Sequence, residues 1–190
     1  MRCERLVLGL VMVWLLISAV ACGAAEPIVE TAAGDINLSA ADLGSGWTMQ
    51  QELTKEDLFT DAPGHVLDAN QRTFVSQEVP GKVVVSHVFS TKSVASAKRE
   101  MEGDLVGAMT STFEEQASEG TMEEVEPPGI GEDDTMLEGT GTISGVPMEA
   151  FVVAFRKANV FAMVFLMGPT ESATTEGAVG YAQELETRIQ

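Results

Sequence analysis

The stretch Met148 to Met167 reads MEAFVVAFRKANVFAMVFLM, and beyond Glu149 only Arg156, Lys157 and Asn159 interrupt its apolar run. Strand-forming residues flank that break: Phe151, Val152, Val153 and Phe155 before it, Val160, Phe161, Val164 and Phe165 after it. β-branched and aromatic side chains suit a pleated surface, so the segment predicts two strands paired through a turn at Lys157 and Ala158. A period of two sets Met148, Ala150, Val152 and Ala154 on one face and Phe151, Val153 and Phe155 on the other. Neither face has a polar row. The hairpin must therefore be covered on both sides, and the rest of the chain reads as that cover plus a leader.

The chain has 190 residues, enough for one domain and a leader, and its 45% hydrophobic content is that of a folded protein. Its formal net charge is −18, which repels nucleic acid and anionic headgroups and disfavours a nucleic-acid partner. Both cysteines, Cys3 and Cys22, lie in the leader region, so no intrachain disulfide is expected in the mature fold.

Arg2 and Arg5 precede an uncharged apolar run from Leu6 to Ala21 that ends in small residues, the pattern of a secretory signal. The run is shorter than the roughly 20 residues a membrane-spanning helix needs. Ala19-Val20-Ala21 is also a small-x-small site that ordinary signal peptidase cuts, which would give a soluble secreted protein. The phrase Ala19-Val20-Ala21-Cys22-Gly23 resembles the lipobox of bacterial lipoproteins, with Ala19 where that pattern more often has Leu. The resemblance implies cleavage between Ala21 and Cys22, acyl chains on Cys22, and a lipid-anchored domain on the extracytoplasmic face of the membrane.

The expected organisation is a signal peptide over 1–21, a mobile tether over 22–36 with little to bury, and one domain over 37–190. Ser39 and Asp42 have capping-box spacing for a helical turn ended by Gly44 and Gly46, after which Trp47 opens an extended segment. Thr54 to Gln71 shows only scattered apolar residues and reads as a loop with helical turns. Arg72 to Val79 and Lys82 to Phe89 read as a hairpin across Pro80-Gly81. Val94, Ala97, Met101, Leu105, Ala108, Met109 and Phe113 recur at helical spacing to about Ala117, with Thr91 or Ser93 as cap and Gly103 and Gly107 as weak points. Met136 to Ser144 reads as a more exposed strand, and Ala178, Ala182, Leu185 and Ile189 mark a last helix.

No Lys or Arg occurs between Glu100 and Phe155, while acids gather from Glu114 to Asp134, including Glu132, Asp133 and Asp134. Such a block can hold a calcium ion or a cationic partner, but it lacks the glycine at the sixth and glutamate at the twelfth position of an EF-hand. It reads as a solvated helix end and loop. Met163 and Met167 share a strand face and raise a soft copper site, against which core filling is the simpler reading. His87 lies in a valine-rich strand and His65 follows a Pro-Gly turn, so neither is placed for catalysis. Hydrolase, zinc and phosphate-loop motifs are all missing, and no cofactor or metal is expected. Trp47 is a rim anchor or a ligand platform, and Glu132, Asp133 and Asp134 are the other residues that could contact a ligand or partner.

The element order predicts an α+β fold: an antiparallel sheet of about five to six strands covered by two main helices. The phrases Leu38 to Trp47 and Gly131-Glu132-Asp133-Asp134, together with that order, resemble small lipoprotein and sensor-type bacterial domains related to the PsbP family. The resemblance implies a non-enzymatic module that binds a partner protein or small ligand at the membrane surface, and a monomer is the expected state. A carrier of an apolar molecule, or an enzyme using the acidic residues, stands as the alternative.

Overall fold

A computed structural model describes residues 28–101 and 104–190. Ala21, Cys22 and the leader lie outside the described residues, as does Gly103 of the expected long helix. The strands are β1 (Trp47–Thr54), β2 (Val66–Ser76), β3 (Val83–Thr91), β4 (Ser118–Val125), β5 (Asp133–Ile143), β6 (Val146–Lys157) and β7 (Val160–Pro169). They form one antiparallel sheet in the order β1-β2-β3-β7-β6-β5-β4. The helices are α1 (Ala33–Ile36), α2 (Lys55–Leu58), α3 (Val94–Met101), α4 (Asp104–Gln116) and α5 (Thr175–Arg188).

Seven strands replace the expected five to six, and the cover is not two main helices. On one face Ala33 and Ile36 of α1 and Ala178, Ala182 and Leu185 of α5 pack with Phe74, Val84, Val88, Val153, Phe155, Val164 and Leu166. On the other, Met101 of α3 and Leu105, Met109 and Phe113 of α4 pack over Phe89, Val152, Ala154, Phe161 and Met163. The central pair β6 and β7 runs in register from Lys157↔Val160 to Met148↔Pro169, with Ala158, at φ 52°, in the turn. Between Ala150 and Phe155, and between Val160 and Leu166, every side chain is buried, as two covered faces demand.

The two strands missed or shortened in the sequence reading are polar. β2 begins at Val66, inside the stretch read as a loop, because Asp68, Asn70 and Arg72 hide the alternation while Ala69 and Phe74 are buried. β4 lies in the acidic block read as helix end and loop, and is a sheet edge with Glu119, Glu123 and Glu124 exposed. Charge on an edge strand blocks pairing with a stray chain, so its composition suits its place. Gly139 and Gly141 of β5 let α4 and β4 come close: a Cβ on Gly141 would stand 2.6 Å from the Ala117 Cβ, and one on Gly139 2.7 Å from the Thr121 carbonyl oxygen.

Residues 29–36, expected to be mobile tether, are part of the packed body. Val29 N donates to Asn159 Oδ1 (2.6 Å), and Asn159 Nδ2 donates to the carbonyls of Val29 (3.3 Å) and Thr91 (2.7 Å). Ala33 N donates to Asp68 Oδ2 (2.8 Å), and Ala33 and Ile36 are fully buried. Asn37, also buried, bonds to Asn70 and Ser86. Small and polar residues concealed this role, because what fixes the segment is distant hydrogen-bond partners and a sequence window contains none of them.

Candidate functional site

The residues singled out by sequence do not converge. Trp47 is half-buried at the β1 edge, opposite Ser76, with the Lys82 ammonium 5.6 Å from its ring centre. It packs against the α5-side core and serves as a rim anchor. Glu132 and Asp133 both hold Arg156: Nη1 meets Glu132 Oε2 at 2.6 Å, and Nε and Nη2 meet Asp133 Oδ2 at 2.8 and 2.7 Å. Burial opposes that guanidinium's charge, but the hydrogen bonds and charges of Asp133 and Glu132 outweigh it and leave the Arg156 pKa raised. Asp134 Oδ2 accepts the Gly129 and Ile130 N–H groups (2.7 and 2.9 Å) and so shapes the Pro127-to-Gly131 loop.

Asp133 and Asp134 do line a depression of about 420 Å³ with Lys98, Met101 and Thr135 beside α3. Two acids and polar neighbours in one pocket are what carboxylate chemistry would need. The charge of Asp133, however, is met by Arg156, and Asp134 Oδ2 already accepts two backbone N–H groups.

A second concavity, of about 310 Å³, lies where α5 stops short of the β4 edge. Thr121, Glu123 and Val125 of β4, Glu138, Gly139 and Thr140 of β5, and Glu149 and Phe151 of β6 line it. Register makes the geometry explicit: Glu123 stands directly across from Glu138, Glu138 across from Phe151, and Thr140 across from Glu149. Glu138 Oε1 accepts the Thr175 hydroxyl at 2.8 Å, and Glu149 Oε2 accepts the Glu171 N–H at 3.0 Å. Among the described residues no Lys, Arg or His forms an ion pair with Glu123, Glu138 or Glu149. Like charges directly opposed across strands are destabilising. The acidic block from Glu114 to Asp134 included Glu123, but only strand pairing shows that Glu138 and Glu149, outside that block, join it.

The methionine pair has a partner that sequence distance hid. β3 and β7 align His87 with Met163, both buried, while Met167 lies further along opposite Val83. Neither ring nitrogen of His87 has a hydrogen-bond partner among the described residues, and burial lowers its pKa to about 4. Met163 sits in the core under α3 and α4. His65 is part-buried and meets Glu100 of α3 at 2.5 Å. No group of three or more His, Cys, Asp or Glu side chains placed to hold a metal ion occurs among the described residues.

No protein-family model and no curated protein sequence matches the chain. Among solved structures, it is similar to the extracellular domain of PknH from Mycobacterium tuberculosis, with a TM-score of 0.57 at 12% identity, over 87% of this chain and 98% of that one. At this identity the likeness is one of fold. Among the described residues no helix is long and apolar enough to cross a membrane.

Proposed function

We propose that the chain is a non-enzymatic extracytoplasmic binding or accessory module, held to the membrane by acyl chains on Cys22, and that the groove across β4, β5 and β6 receives a positively charged group of a partner protein or small ligand. The fold shared with an extracellular domain and the secretory leader support the location. The observation that carries the binding reading is the opposed pair Glu123 and Glu138 with Glu149 in the next row: the arrangement costs stability in the free domain, and a bound cation offsets that cost. The likeness to the PsbP family adds only the idea of an accessory role.

The test is thermal-shift and titration measurement with lysine-rich peptides and polyamines, on the parent and on Glu123→Gln/Glu138→Gln. The parent should gain stability with ligand, and the double variant should start more stable and gain little. No shift with any cation, or an equal shift in the variant, removes the groove from consideration. Anchoring is tested separately by intact mass and fatty-acid labelling: Cys22→Ser should lose the label and change the fate of the chain, either to release after Ala21 or to retention as an uncleaved precursor. An unmodified Cys22 terminus on a soluble parent protein would overturn the anchor.

A further inference from the structure

The described chain begins at Ile28, which is 47% exposed, and is locked from the next residue onward. Val29 is clamped to Asn159 by bonds in both directions, and Asn159, itself fully buried, ties the same point to Thr91 at the end of β3. The chain therefore enters the body at one end of the sheet, the end that carries the β6–β7 turn, the finish of β3 and the start of α3. Lys92 is exposed there, its N–H bonded to the His65 carbonyl. The groove lies toward the other end: Glu149 is near the start of β6 and pairs with Gly168, near the finish of β7.

Two lengths turn this into an orientation. From Cys22 to Ile28 the chain takes six residue steps, which reach at most about 20 Å in any conformation. Along β6, twelve residues separate the two ends of the sheet by about 40 Å. The leash is thus shorter than the body it holds.

Resting on the membrane-anchor reading, we infer that the domain stands with the β6–β7 turn end toward the bilayer surface and the acidic groove facing away, toward partners arriving from the far side. The same geometry follows for an uncleaved leader, since the apolar run ends at Ala21.

The test places a fluorophore at Lys92→Cys or at Val146→Cys, exposed sites at opposite ends, in a Cys3→Ala background of the full chain purified with its anchor. The protein is reconstituted in phosphatidylcholine vesicles that carry a headgroup-linked acceptor, and energy transfer is read. Transfer from position 92 should be several-fold greater than from position 146. Inserting about twenty Gly and Ser residues after Gly23 should reduce the difference. Equal or reversed transfer in protein that floats with the vesicles overturns the orientation and leaves the anchor reading standing, whereas failure to float overturns both.

Discussion

His87 is the side chain whose ionisation this fold resists most. Burial holds its pKa at about 4, below the ordinary 6.5, with Met163 and the part-buried Gln71 as its cross-strand neighbours. As pH falls through 6.5 the unfolded chain takes up a proton that the folded chain refuses until about 4, so stability present above 6.5 is lost across that window. The loss is roughly 3 kcal/mol when complete. Urea midpoints measured between about pH 7 and about pH 4.5 should fall in the parent and stay flatter in His87→Leu; parallel curves would mean the ring has a proton partner or access to water. Asn159 is the second residue with a disproportionate role. Its replacement by Ala strands the Val29 N–H and two buried carbonyls, and chemical denaturation should show a loss of roughly 2–3 kcal/mol. Nothing in the local sequence signals this, because Asn159 reads as a turn residue until the partner at Val29, 130 positions away, is placed beside it.

At the scale of elements, legibility followed hydrophobic period. The β6–β7 hairpin was readable because both faces are apolar, although its turn lies one residue further on, between the paired Lys157 and Val160. Phe155, fully buried, tests it: Phe155→Ala should cost roughly 3–5 kcal/mol by lost transfer energy and the cavity left, and a melting point within a couple of degrees of the parent would contradict its central place. The N-cap of α5 was also within reach, since Thr174 accepts the Gly177 N–H at 3.1 Å in a stretch already marked by hydroxyl residues. β4 was not within reach, because its alternation is of exposed Thr and Glu against half-buried Gly120, Met122 and Val125 and carries no fully buried face. What attaches it is the glycine pair on β5. Gly141→Val should therefore push the α4–β4 unit outward, lowering stability and speeding hydrogen exchange in α4 and β4 ahead of β2 and β3.

For the molecule as a whole, the boundary of the domain is the prediction most at odds with sequence reading. A chain that begins at Asn37 loses the buried Val29, Ala33 and Ile36. At about 1.5–3 kcal/mol for each of the two larger side chains, Val29 and Ile36, that is a large part of the stability of an ordinary domain. Such a chain should unfold or bind hydrophobic dyes at room temperature, whereas one beginning at Glu26 should melt cooperatively. Cooperative melting of both would show that residues 28–36 lie on the sheet without supporting it. The seven-strand count escaped the sequence for a related reason: a sheet in which β3 pairs with β7, across two intervening helices and three other strands, is built from contacts that no window contains.

The sheet order also sets a clock. Arg188, at the end of α5, donates from Nη1 to the Asn37 carbonyl at 2.8 Å, so the residues at the entrance of the domain are seated partly by a helical turn 151 positions further along the chain. The strands at the centre of the sheet are held by partners that emerge late, and non-local pairing of this kind is slow to form. A chain made from its N-terminus onward must therefore keep β1, β2 and β3 waiting, without their inner neighbour, until β7 has left the ribosome.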